Sequence, residues 1–321
     1  MDVFSKLARF GLIEARTLFT LLQNGAPDRM LQFGGGIGDE LLLTTVAHEL
    51  KRRDPSLKIW QVSHSAELLR YNPDYQKVFT WDDWYLRYSS LLNRRRTGLS
   101  YATELIPMRA EVPPEEHVLK ILCRKAGIKG EVELRPYYTS GADEKEFGSI
   151  NPGQVAVQVL GKDSYSTVPL NKLWDTKKFQ TIVDILKETL KCQVIQLGLP
   201  GDPPLKGVID LRGKTELRET ARVISQSAFF VGMEGLLMHL ARAVNRRAVV
   251  IFGGRIHSWQ IGYPCNENLN SMVDCAPCWK WNDCDYERKC MTMISVDEVM
   301  NAVQRLIQRL DAPLETDTAT L

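Results

Sequence analysis

Apolar residues are spaced along this chain in two alternating ways. Arg29-Met30-Leu31-Gln32-Phe33 is a short apolar run ending in glycine, the pattern of a buried strand. From Leu41 to Arg53 the spacing becomes helical, with Leu42, Thr45, Val46 and Leu50 on one side, and Pro55 closes the helix. Lys58–Val62 predicts a second strand, Ser65–Tyr71 a short helix ended before Pro73, and Lys77–Thr80 a third strand. Strands alternating with helices predict a parallel sheet with right-handed crossovers. Trp81–Tyr101, with Trp81, Trp84, Tyr85 and the run Arg94-Arg95-Arg96, reads as a long loop with some helix. Pro113–Gly127 reads as a helix with prolines at its start and a glycine stop.

Arg135–Gly153 has few aliphatics and is punctuated by Pro136, Gly141, Gly148 and Pro152, which predicts an interdomain linker. After it the rhythm resumes. Strands are expected at Gln154–Leu160, Gln193–Gly198, Val208–Leu211, Phe229–Val231 and Ala248–Phe252. Helices are expected at Thr176–Leu190, Glu216–Ser225 and Leu236–Val244. Ser295–Leu310 carries the clearest helical period, and the tail Asp311–Leu321 reads as disordered. The organisation expected is two α/β Rossmann-like domains, 1–150 and 151–321, facing a central cleft. Open α/β sheets bind ligands beyond the carboxyl ends of their strands.

Composition changes this picture little. With 321 residues the chain is long enough for two domains, and 44% hydrophobic and 25% charged residues are ordinary globular usage. A net charge of +2 gives no field that would predict nucleic-acid binding. No apolar run reaches the roughly 18 residues that span a bilayer. Met1–Gln23 lacks the features of a cleaved signal and reads as an amphipathic helix, so a cytoplasmic protein is expected.

The first candidate site is the turn Gly34-Gly35-Gly36-Ile37-Gly38-Asp39. It is not a dinucleotide fingerprint: the spacing of Gly34 and Gly36 requires glycine where Asp39 stands, and Lys58–Val62 is followed by Ser63-His64-Ser65 with no acid for a ribose hydroxyl. A carboxylate here would repel a pyrophosphate, so the loop around Gly36 and Gly38 suits an acceptor hydroxyl. Asp39 is either a general base or an N-cap.

The second half carries three further candidates. Lys172 stands between a strand and a helix. Gly232-Met233-Glu234-Gly235 opens a helix whose first amides suit a phosphate, with Leu236 and His239 following. Gly253-Gly254-Arg255 follows the last strand, where Arg255 either pairs with a phosphate or has no partner. Each also has a plain structural reading: a solvated lysine, a capping glutamate, a core histidine.

Taken together, Ile37–Thr45, Asn171-Lys172-Leu173-Trp174, and Phe230–Ala241 followed by Val250-Ile251-Phe252-Gly253 resemble the heptosyltransferase-like glycosyltransferase family 9, over about residues 30–307. The resemblance implies a GT-B fold and inverting sugar transfer without a catalytic divalent metal. It makes Asp39 the base, has Lys172 meet donor phosphate, and sets Glu234, Gly235 and Leu236 at the phosphate-binding helix start. His239 lies near the donor or is structural. Met233 departs from the small polar residue usual there. The implied partners are a nucleotide-sugar donor (heptose being the best-known sugar) and a bacterial surface glycan, lipopolysaccharide or related acceptor. A helix resting peripherally on the inner membrane fits that acceptor.

Cys275, Cys278, Cys284 and Cys290 provide four thiols within sixteen positions, the donor set of a structural zinc or iron with no open position for water. A similar cluster in some members of the family, including the autotransporter heptosyltransferases, resembles an iron-binding finger. Asp283 and Asp285 lie inside this cluster and are not read as a catalytic metal pair. Two other readings stand beside the transferase: an NAD-dependent oxidoreductase, and a non-catalytic nucleotide-binding protein with a metal-finger interaction module.

Overall fold

A computed structural model describes residues 3–101, 113–142, 153–160, 170–280, 282–315 and 318–321, with side chains from residue 10 onward. The order begins with α1 (Val3–Asn24), β1 (Arg29–Phe33), α2 (Ile37–Arg53), β2 (Ile59–Val62), α3 (Ala66–Leu69) and β3 (Lys77–Phe79). Two 3-10 turns, Trp81–Arg87 and Ser90–Leu92, lead to β4 (Arg96–Leu99), α4 (Val118–Lys125) and β5 (Glu131–Glu133). The second half has β6 (Val155–Gln158), a 3-10 turn at Leu170–Lys172, α5 (Thr176–Leu190), β7 (Val194–Leu197), β8 (Ile209–Asp210), α6 (Leu217–Gln226) and β9 (Phe229–Met233). It ends with α7 (Leu236–Ala243), β10 (Ala248–Gly253), α8 (Ser258–Ile261), β11 (Glu267–Asn270), α9 (Lys289–Thr292), α10 (Val296–Ile307) and β12 (Thr318–Thr320).

The strands form two parallel sheets, β3-β2-β1-β4 and β11-β10-β9-β6-β7-β8. Five of the runs read as strands are fully covered: β2, β6, β7, β9 and β10 are buried at every position, as strands between two helical layers must be. In each sheet the chain reverses direction of growth at a central strand. β1 has β2 on one side and β4 on the other, and β6 and β9 are adjacent with the remaining strands growing outward from each. Such switch points leave a crevice at the strand ends. The candidate turns follow β1 and β9.

Several expectations change. Arg96 is not in a loop but begins β4, which pairs with β1 from Met30↔Arg96 to Phe33↔Leu99. The basic run is largely engaged: Arg96 donates to the Ser89 carbonyl at 2.7 Å, and Arg95 donates to the Pro27 carbonyl. The helix expected from Pro113 begins only at Val118, where His117 caps it by accepting the Leu119 N–H. The tail is not disordered throughout, because β12 pairs antiparallel with β5, and Arg247 donates to the Ala312 and Pro313 carbonyls. The loop from Gly262 to Met291 contains β11, paired with β10. Of the expected linker, 143–152 lies outside the described residues, while Arg135–Thr139 is packed: Thr45 donates to the Arg135 carbonyl at 2.6 Å, and Arg218 to the Thr139 carbonyl at 2.8 Å. Among the described residues no helix is long and apolar enough to cross a membrane.

Candidate functional site

α2 begins four residues earlier than its apolar spacing indicated, with Gly36 as N-cap, so Asp39 is the third residue of the helix. Its Oδ2 accepts the Gly36 N–H at 2.8 Å and its Oδ1 accepts the Tyr101 hydroxyl at 2.6 Å. Asp39 is therefore not the N-cap itself: Gly36 takes that position, and Asp39 bonds back to its N–H from the first turn. A Cβ on Gly35 would lie 2.0 Å from that Oδ2, so the carboxylate folds back over the turn only because position 35 has no side chain. Glu40 turns the opposite way and is buried, accepting from the Ser63 hydroxyl and the His64 N–H.

The β9–α7 turn meets the first one. Leu236 Cα and His239 Cδ2 both stand 3.6 Å from where a Gly38 Cβ would be. Glu234 follows β9 directly, Gly235 caps α7, and Lys172, on its 3-10 turn, forms a buried ion pair with Glu234. His239, one turn into α7, is within 2.6 Å of the Tyr263 hydroxyl through Nδ1. Burial pushes its pKa down to about 4, so it is neutral near pH 7.

Electrostatics separate the two carboxylates. Burial raises the Asp39 pKa above the ordinary aspartate value; the bonds from Tyr101 and Gly36 and the charge of Lys172 oppose the rise, and Glu234 adds to it. Glu234 suffers the same burial, but Lys172 and Arg255 outweigh it and hold its pKa below the ordinary glutamate value. Burial also raises the Tyr101 hydroxyl well above its usual range, and Asp39 pushes it further, so Tyr101 stays a donor.

One cleft of about 610 Å³ gathers Gly36, Gly38, Asp39, Lys172, Glu234, Gly235, Leu236, His239 and Arg255, the residues singled out in the sequence on both sides. That is within the size range of small-molecule sites. A larger hollow of about 760 Å³, between α3 and the start of α6, contains none of them. The pattern missed Tyr101 and Trp279, which also line the cleft. Tyr101 arrives from just beyond β4, 62 residues from Asp39. Trp279 arrives from the cysteine loop. Neither belongs to a motif, and an isolated aromatic residue gives no signal until the chain is folded.

The cysteine loop packs beneath this cleft. All seven cysteines are free thiols. Cys290 is buried, its thiol pushed up by burial and by nearby Cys278, Cys275 and Cys284. Their chemistry suits a four-thiolate ion. Among the described residues, however, no three metal-type side chains stand close enough together to hold one. Asp285 pairs with exposed Lys280 at 3.3 Å.

A sequence model of glycosyltransferase family 9 (heptosyltransferase) matches residues 164–283. The chain is 25% identical over 264 residues to lipopolysaccharide heptosyltransferase 3 of Escherichia coli (strain K12), covering 74% of this chain and 72% of that protein. Its fold is similar to that of the E. coli ADP-heptose lps heptosyltransferase II, with a TM-score of 0.62 at 16% identity, covering 88% of this chain and 100% of that one. It is also similar to the iron-containing dodecameric glycosyltransferase TibC of enterotoxigenic E. coli H10407, with a TM-score of 0.64 at 16% identity, covering 88% of this chain and 77% of that one. On these findings residues 164–283 match glycosyltransferase family 9, and the chain has the GT-B fold of the heptosyltransferases it is similar to.

Proposed function

We propose that the chain transfers a sugar with inversion from a nucleotide-sugar to a glycan or glycolipid hydroxyl, Asp39 acting as general base. The observation that carries this reading is the convergence of Asp39 with Lys172, Glu234 and Arg255 in one cleft. The acceptor proton passes to Asp39 as its oxygen attacks the anomeric carbon, and the bond from that carbon to the diphosphate oxygen breaks on the opposite face. Burial makes Asp39 a stronger base than an exposed aspartate, and its two hydrogen bonds hold it in place. Lys172, Arg255 and the first amides of α7 receive the charge of the leaving diphosphate, a role filled by a divalent ion in other transferases. Glu234 keeps Lys172 charged against the burial that lowers its pKa.

The name of the E. coli structural neighbour supports ADP-heptose as donor, and that of the curated relative supports lipopolysaccharide as acceptor. Residues 1–150 then serve the acceptor and 151–321 the donor, with β12 returning to the first half. Exposed Phe10, Leu12, Leu18, Phe19 and Leu22 on α1 support peripheral contact with the cytoplasmic face of the inner membrane. The four thiols support a structural zinc or iron, which elemental analysis of the purified protein will detect at about one ion per chain. The family match favours a transferase over an oxidoreductase or a non-catalytic module. The decisive experiment is mass spectrometry of transfer and hydrolysis across a panel of nucleotide sugars. Turnover of a nucleotide heptose or hexose is expected, and stabilisation by NAD with no turnover of any sugar donor would refute the proposal.

A further inference from the structure

Trp279 is a cleft residue that the transfer step as described does not use. Its backbone has a φ of 52°, in the left-handed region, where a bulky side chain is disfavoured and persists only if its surroundings hold it. The surroundings are specific. The Trp279 N–H donates to the Arg255 carbonyl at 3.0 Å, and the Cys278 N–H donates to the Gly254 carbonyl at 3.1 Å. A Cβ on Gly254 would stand 2.8 Å from Cys290 Cβ, so the loop and the donor-side turn are in direct contact. The same loop grips the residue beside Lys172: Asn171 donates to the Lys280 and Asp283 carbonyls at 3.0 and 3.1 Å and accepts from Arg288 at 3.2 Å.

The indole ring lies 5.3 Å from the Arg255 guanidinium and 6.2 Å from the Tyr101 ring, and Trp279 is only 5% exposed. Its Nε1–H has no hydrogen-bond partner among the described residues. A buried donor left unsatisfied is costly and uncommon, so it calls for an acceptor that the described residues do not supply. The cleft wall between a guanidinium and the tyrosine that holds Asp39 is where an oxygen-rich anionic ligand would supply one.

We propose that Trp279 binds the donor, its indole N–H donating to an oxygen of the sugar diphosphate, and that the cysteine loop fixes the ring there. This rests on the nucleotide-sugar reading of the cleft. Trp279→Phe keeps an aromatic ring and removes the donor group together with part of the indole. In the full-length protein it will weaken binding of the nucleotide sugar turned over by the wild type roughly tenfold, the scale of one hydrogen bond to a charged group. KM rises by the same factor while kcat stays unchanged, a split that a merely structural role would not give. Equal loss with the nucleoside diphosphate alone assigns the bond to phosphate, and loss only with the intact donor assigns it to the sugar; either outcome supports the proposal. In the wild type, the Trp279 indole N–H resonance, assigned by through-bond correlation to its own backbone amide, must move on adding donor, so the proposal remains testable if the variant folds poorly. Donor affinity within twofold of wild type in a folded variant, or an unmoved resonance in the wild type, would overturn it. A wild type that binds no nucleotide sugar would instead refute the transferase reading.

Discussion

The turns after β1 and β9 are built alike and do opposite things. Both follow a central strand, contain glycine, open a helix and bring one carboxylate to the same cleft. Asp39 meets neutral donors, the Gly36 N–H and the Tyr101 hydroxyl, and burial leaves its pKa raised. Glu234 meets Lys172 and Arg255, and its pKa is lowered. The backbone decides where a carboxylate goes, and its neighbours decide whether it becomes a base or a fixed counter-ion.

The widest separation between the two should appear on neutralising each. Asp39→Asn is expected to lower kcat by about 10²–10⁴, the usual worth of a general base, with no loss of stability near pH 7. Its raised folded pKa means that the ionised form disfavours folding, so stability falls as pH rises through that pKa and the asparagine removes the fall. Transfer assays paired with urea denaturation measure both, and unimpaired transfer would remove Asp39 from the mechanism. Glu234→Gln should show the reverse emphasis. It strands Lys172 in a buried site and should cost about 3–5 kcal/mol of stability, part of it recovered in the double variant with Lys172→Met. The wild-type Glu234 contribution is present above its unfolded pKa and lost as pH falls through the folded one. A Glu234→Gln protein as stable as wild type would break the comparison. The smallest effect is expected from Tyr101→Phe. Losing a bond to ionised Asp39 is worth about 1.5 kcal/mol and moves the acid limb of the kcat profile up by about one pH unit, so kcat falls by up to about tenfold near that limb and recovers at higher pH. An unmoved limb would show that Tyr101 does not tune the base.

Elements whose residues carry their own period were legible. The apolar run at β1 and the helical spacing of α5 were read at the bounds the structure gives them. The start of α2 was not, because Ile37–Glu40 is placed by the Gly36 cap rather than by an apolar stripe. The edge strands were hidden for a related reason. Arg-Thr-Gly-Leu, Glu-Asn-Leu-Asn and Thr-Ala-Thr have little apolar content, and they are strands because an exposed neighbouring edge supplies hydrogen bonds. The four clustered thiols named a chemistry without placing their sulfurs.

By itself the sequence determined the α/β alternation, the two glycine-bearing turns and the residues whose chemistry fills the cleft. These follow from periodicity and local backbone freedom, which act over a few residues. Tertiary structure alone decided that Asp39 and Glu234 share one cleft, that Tyr101 holds one and Lys172 the other, and that Trp279 lies against Arg255. Burial and charge act through space, so pKa directions and partners depend on residues distant in the chain, and no local pattern encodes them.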